Sequence, residues 1–242
     1  MIIPIIASQR GAADRPPAVA MRLLLASNNA KKLRELQALI TPLGVELVTQ
    51  GALGIPEAEE PHITFVENAL AKARHAARLG GGPALADDSG LCVNALGGAP
   101  GVRSARYAVD AGRVAEEAGR EHIDPANNAW LLEQMAAHTD RQAHFTCLLV
   151  AVRHAEDPEP LIAEGHWCGQ LLHAPQGEHG FGYDPLLWLP EHQLSAAQLP
   201  PEIKNAVSHR ALACQQLLQL ITARWGIATD GSAGAHWPWQ SA

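Results

Sequence analysis

The sequence predicts an α/β protein: a mixed sheet flanked by helices, reaching into a second lobe with a cleft between the two. Three observations carry this. Short apolar runs alternate with helical patterns over the first third of the chain, β-α-β-α-β, as parallel strands joined by crossover helices require. Two longer segments follow, "RQAHFTCLLVAVRH" and "PLIAEGHWCGQLL", which read as an antiparallel pair joined through "AEDPEP". No internal repeat interrupts the series.

The elements follow in order. Leu23 to Ala26 is a continuous apolar run, read as a buried strand. A helix is expected from Lys32 to Ile40, with Leu33, Leu36, Leu39 and Ile40 on one face and Pro42 and Gly44 as its stop. "VELVTQ" is the second strand, followed by the acidic loop "PEAEEP". "ITFVENALAKARHAARLGGG" is the clearest helix. Thr64 and Glu67 have capping-box spacing, which favours a structural Glu67, and Phe65, Ala69, Ala73 and Ala76 form a small packing face. "PALAD" is the third strand. Further on, helices are expected over Asn127 to Ala137 and Ser208 to Trp225.

Bulk properties narrow the classes. The chain has 242 residues, enough for a sizeable core in one domain or two lobes. With 47% hydrophobic and 18% charged residues its composition is that of an ordinary globular protein. The net charge of −7 argues against indiscriminate binding to nucleic acid. No apolar run reaches the roughly 18 to 20 residues needed to span a membrane. Cys92, Cys147, Cys168 and Cys214 are widely spaced with no C-x-x-C, and read as buried free thiols of a cytoplasmic protein. Residues 1–20 lack a basic start and carry Arg10, Asp14 and Arg15, so they read as a disordered extension or a misplaced start before Met21. Residues 21–227 then form one domain of two lobes, and 228–242 an irregular tail.

Chemistry concentrates in a few places. The four lysines are Lys31, Lys32, Lys72 and Lys204. "SNNAKK" runs from a strand into a helix, where free amides and the helix dipole favour an anion; the same Ser and Asn also suit plain capping. Asp87 and Asp88 stand side by side at the expected end of a buried strand, where open α/β sheets place ligands. Turn, cap and Mg²⁺ site are the open readings of that pair, and the acidic loop of Glu57, Glu59 and Glu60 could add one ligand to such a site. "GEHGFGYDPLLW" offers Phe181 as a platform for a flat base, with Gly180 and Gly182 allowing close approach, or a hairpin with core aromatics. "KNAVSHRAL" puts His209 and Arg210 in a first helical turn, an unfavourable place for cations and so a hint of function.

The segments "LASNNAKKLRELQALI", "TFVENALAKARHAA", "ALADDSGLCVNALGGAPGVRSARY", "GFGYDP" and "KNAVSHR" occur in the order and spacing of the ITPase-like family, and the chain resembles it from about Arg22 to Trp225. The resemblance implies an elongated, two-lobed mixed α/β fold and a homodimeric, Mg²⁺-dependent enzyme that cuts deaminated purine nucleoside triphosphates (ITP, dITP, XTP) between the α and β phosphates, cleansing the nucleotide pool. It implies that Ser27, Asn28, Asn29, Ala30, Lys31 and Lys32 hold the triphosphate, and that Lys32 stabilises leaving charge. Asp88 would be proton acceptor and, with Glu60, metal ligand; strand alternation puts Asp87 on the opposite face, where it would orient the loop or contact the residues behind the site. Ser89 and Lys72 would contact substrate, Phe181, Gly182, Tyr183 and Asp184 would surround base and sugar, and Lys204, His209 and Arg210 would complete the site. His209 and Arg210 would donate to the 6-oxo group.

Two positions depart from the pattern. Asn28 stands where glycine is usual, which suits a left-handed backbone, and His179 stands near the pocket rim. A Maf-like pyrophosphatase for modified pyrimidine nucleotides and a catalytically silent nucleotide-binding module are the alternatives. The S-H-R segment disfavours the first, and the intact Asp88 and Lys32 disfavour the second.

Overall fold

The computed structural model describes residues 21–40 and 45–226. The expected extension over 1–20, the stop at Pro42 and Gly44 and the tail over 228–242 lie outside the described residues.

A seven-stranded mixed sheet organises the chain, in the order β2-β1-β3-β4-β5-β6-β7. β1 (Met21–Leu25) pairs in parallel with β2 (Val45–Thr49) and with the start of β3 (Ala84–Val93). β4 (Gln142–Val152) and β5 (Leu161–Leu171) continue the sheet antiparallel, and the short β6 (Leu187–Leu189) and β7 (Leu194–Ser195) close it. The helices are α1 (Ala30–Ile40), α2 (Phe65–Gly80), α3 (Tyr107–Asp110), α4 (Arg120–Gln134), α5 (Pro201–Val207) and α6 (His209–Trp225).

Local chemistry explains the boundaries. The Thr64 hydroxyl oxygen accepts from Glu67 N and donates to the Glu67 carboxylate, so Glu67 is a capping residue, and such a cap contributes about 1 kcal/mol. Ser208 caps α6 by accepting from Ala211 N. α4 starts seven residues before the expected Asn127, because Pro125 lies inside the helix rather than ahead of it. A proline removes one helical amide, and the buried Ile123 ahead of it still packs. The short α5, which carries Lys204, was not foreseen. Phe65 is only half-buried, whereas Ala69, Ala73 and Ala76 are fully packed.

Side-chain alternation divides the sheet into three cores. On one face, Leu85, Leu149 and Ala163 pack with Leu36, Ile40 and Leu217 of α1 and α6. Further along the same face, Leu91, Phe145 and Trp167 pack with Leu131 of α4 and with Tyr183 and Leu186. Between these two cores the row on β3 is polar: Asp87 and Ser89. On the opposite face, Ala84, Ala86 and Val150 pack against the small residues of α2. Cys147 and Cys214 are buried, but Cys168 lies on the outward row of β5 and is exposed, contrary to the expected burial of the thiols. All four cysteines are free.

Candidate active site

The two acids do not end a strand. β3 continues through Ser89 and Gly90 to Val93, paired throughout with β4. What ends beside them is β1, which meets β3 only at Ala84 and Leu85. The site therefore still forms at the carboxyl end of the parallel strands, with its acids held within the sheet rather than in a turn.

A cavity of about 550 Å³ opens there, within the range for small-molecule sites. Its wall at one end is the β1–α1 connection. Asn29 Oδ1 caps α1 by accepting from Lys31 N and Lys32 N, so two of the amides expected to cradle an anion are already bonded. Ser27 Oγ accepts from Asn29 N. Asn28 does not adopt the expected left-handed backbone: among the described residues only Gln193 combines a side chain with positive φ. Instead the Asn28 amide donates to Glu57 Oε1 at 3.1 Å, tying the acidic loop to this turn.

Strand alternation sends the acids to opposite faces. Asp87 is saturated. It accepts from Lys32 Nζ at 2.5 Å, Arg210 Nε at 2.8 Å, Ser89 Oγ at 2.9 Å and Cys147 Sγ at 3.4 Å. Burial raises its pKa, but Arg210 and Lys32 outweigh burial and hold it well below the usual range. Asp88, on the α2 face, accepts from Lys72 Nζ at 3.0 Å through Oδ1, while its buried Oδ2 has no partner. Burial dominates here and, with help from Glu60, raises the Asp88 pKa against the pull of Lys72 and Lys32. Lys72 Nζ also reaches Glu60 Oε1 at 3.2 Å, so one ammonium bridges the two residues expected to hold metal. Glu59 is exposed and does not line the cavity, and Glu57 is engaged by Asn28.

Arg210 differs from expectation. It is almost fully buried, and its guanidinium bonds Asp87, Ser89 and the Glu35 carboxylate. Two carboxylates thus offset a cation at a helix N-terminus, and Arg210 acts mainly as a buried brace rather than as an unencumbered donor to a base. His209, unlike Arg210, is no cation. Burial and the neighbouring Arg210 lower its pKa well below the ordinary value, so the imidazole is neutral. It lies flat on Phe145, with centroids 4.8 Å apart, and its buried Nδ1 has no partner.

The opposite wall is the 181–184 loop. Phe181 and Tyr183 both line the cavity but separate in role: Phe181 is half-buried, whereas Tyr183 is buried and donates to Ser104 O. Asp184 Oδ2 accepts from Phe181 N at 2.8 Å and from Lys204 Nζ at 2.7 Å. Gly180 has φ +77°, and a Cβ there would collide with Asp184. Lys31 and Lys204 stand 5.6 and 5.4 Å from the Phe181 ring centroid. Gly182 lines the cavity, as does Ala30 across from it, whereas His179 does not.

The sequence reading missed Glu35, which joins Arg210 and Lys204 from one turn beyond Lys32. It also missed Asp124 of α4, in the cavity wall, and Asn128 behind it. Spacing from Lys32 could have flagged Glu35; nothing local marks the α4 pair.

Fold and cleft together define a class, the mixed-sheet α/β protein with a charged pocket at the end of its parallel strands. The Ham1 family model matches residues 23–220, and the chain belongs to the Ham1 family. It is 59% identical over 212 residues to a Leptothrix cholodnii protein named dITP/XTP pyrophosphatase, covering 86% of this chain and all of that one. A Methylibium petroleiphilum protein of the same name is 61% identical over 206 residues, covering 85% and 99%. Among solved structures, a HAM1 protein from Coxiella burnetii superposes with TM-score 0.75 at 43% identity, covering 84% of this chain and 99% of that one. The Staphylococcus aureus Ham1 protein gives 0.71 at 32%, covering 84% and 98%.

Proposed function

We propose that this chain is a nucleoside triphosphate pyrophosphatase that converts the deaminated purine nucleotides ITP, dITP and XTP to monophosphate and pyrophosphate, keeping them out of DNA and RNA. One observation carries the reading: in a lysine-rich cleft, Asp88 keeps a buried carboxylate oxygen without a partner, beside Glu60 and Lys72. The relatives' names support it over nearly their whole length.

The residues fit a divalent cation. A hard cation such as Mg²⁺ takes one or two carboxylates and completes its shell with waters and phosphate oxygens. Asp88 and Glu60 supply two, and no group of three or more metal-binding side chains is gathered among the described residues. When bound there, Mg²⁺ would neutralise triphosphate charge and acidify a water.

Asp88 accepts a proton from the attacking water, a task suited to a carboxyl whose pKa is raised. The water oxygen bonds to the α phosphorus, the α–β anhydride bond breaks, and pyrophosphate leaves with the bridging oxygen. Lys32 and Lys72, preset by their carboxylate partners, turn to the phosphates and offset that charge, with Ser27 to Lys31 and Ser89 around them. Phe181 stacks on the base and Lys204 stays with Asp184 at the sugar end. The neutral His209 donates its N–H to the 6-oxo oxygen; adenine would present an amine there, at a cost of about 1–3 kcal/mol.

The reading includes a two-lobed functional unit over 21–227, a homodimer and a cytoplasmic setting. In its support, the outward row of β5 leaves Ile162 and Cys168 exposed, and the thiols are free. No helix among the described residues is long and apolar enough to cross a membrane. The test is pyrophosphate release with Mg²⁺ from ITP, dITP and XTP against ATP and GTP. Release from the first three is expected, and none from any of them overturns the reading.

A further inference from the structure

Phe181 is the flat surface of the cleft, and its direction depends on the two peptide planes flanking its Cα. A carboxylate holds each of them. The Phe181 N–H donates to Asp184 Oδ2 at 2.8 Å, and the Gly182 N–H donates to Asp124 Oδ2 at 3.0 Å. The next plane is held too, because Asn128 Nδ2 donates to Gly182 O at 3.0 Å. Asp124 and Asn128 are one helical turn apart on α4, so one helix face grips both polar backbone atoms of Gly182. Gly182 has φ +61°, a conformation that leaves its amide and carbonyl outside any strand or helix pairing.

α4 does not depend on this grip. Asn127 Oδ1 accepts from Ala108 N at 2.7 Å, its amide donates to Ser104 O, and Leu131 lies in the core. Nor do Asp124 and Asn128 contact Asp88, Glu60 or Lys72. The triphosphate end and the platform end are thus held by different parts of the chain.

We propose that Asp124 and Asn128 are positioning residues that set Phe181 for base stacking, so that α4 governs how much the base contributes to binding. The proposal rests on the reading of the cleft as a purine nucleotide site. Asp124 would act through Gly182, not on the reacting atoms.

The test compares the affinity of ITP with that of tripolyphosphate, which has no base, by titration calorimetry on wild type, Asp124→Ala, Asp124→Asn and Asn128→Ala. In Asp124→Ala, ITP affinity should fall about tenfold, the scale of a lost hydrogen bond to a charged group, while tripolyphosphate affinity stays within about twofold. Asp124→Asn should recover most of the loss, because its amide oxygen still accepts from Gly182 N. Asn128→Ala should weaken ITP selectively, by less. Steady-state kinetics should show a KM effect larger than the kcat effect. The proposal is overturned if ITP affinity is unchanged in Asp124→Ala, if tripolyphosphate weakens in step, if Asn rescues no better than Ala, or if wild type binds both ligands alike. Pyrophosphate release by wild type is scored separately: its absence with a normal base contribution to binding would sink the activity and leave the clamp standing.

Discussion

Asp87 and Asp88 are adjacent on one strand, both buried, and chemically opposite. Asp87 is enclosed by two cations, a hydroxyl and a thiol, and its carboxyl is held strongly ionised. Asp88 meets one lysine, leaves one oxygen unbonded and holds its proton more readily than an ordinary aspartate. Burial opposes ionisation at both; direct bonds from Arg210 and Lys32 overcome it at Asp87, whereas at Asp88 only Lys72 bonds and the Glu60 carboxylate adds to the burial penalty. A satisfied carboxylate braces, whereas an unsatisfied one remains available to a water or a metal.

The sharpest way to break this comparison is Asp88→Asn. Turnover of ITP should fall roughly 10²- to 10⁴-fold, the usual contribution of a general base, with little change in melting temperature. Asp87→Ala should show the reverse emphasis. It leaves the buried Arg210 with Glu35 as its one remaining carboxylate and removes the partner of Lys32, and should cost about 3 kcal/mol in denaturant unfolding. Equal stability losses at the two positions would erase the distinction. A smaller effect concerns Lys72, whose ammonium stands between the Asp88 and Glu60 carboxylates. Lys72→Met should raise Mn²⁺ affinity of the nucleotide-free protein about tenfold by calorimetry; weaker binding would show that the lysine helps build the metal site.

His209 offers a pH test on the Asp87 side. Its folded pKa lies well below the ordinary 6.5, so its neutral form stabilises the fold. That contribution is fully present above about pH 6.5, and is lost as pH falls towards the folded pKa, because the unfolded chain takes up a proton that the folded chain refuses. Stability of His209→Phe should therefore decline less between pH 7 and 5 than that of wild type. The smallest expected effect is Asn28→Gly, which frees Glu57 at an exposed position and should change stability by less than about 1 kcal/mol in a thermal melt.

Much of this was legible in the sequence. The alternation of apolar runs and helical patterns placed the parallel strands, and the T-x-x-E and Ser208 caps fixed two helix starts. The antiparallel pair was plain from its alternation. What was not legible has physical causes. "ALADDSG" looked like a strand end because two carboxylates inside a sheet are costly, and Arg210, Lys32 and Lys72, arriving from three different helices, make them tolerable. Pro125 concealed the start of α4. Glu35 looked like an ordinary surface residue of an amphipathic helix until α6 brought Arg210 against it. Asp124 and Asn128 reach Gly182 across more than fifty residues of chain, with no local pattern to announce them.

β3, β4 and β5 run unbroken from the core beneath α1 and α6 to the core around α4. For protein engineering this continuity matters. A split reporter made by cutting the chain at the cleft would sever the strands that both halves need, and neither fragment would carry a complete sheet. Insertions belong instead at exposed positions of the β4–β5 hairpin such as Glu156, at the strand ends, where no residue lines the cleft. Any closing of the cleft around a nucleotide has to be a twist of one stiff ribbon, with an amplitude limited by its ladder of backbone bonds rather than by the reach of a linker.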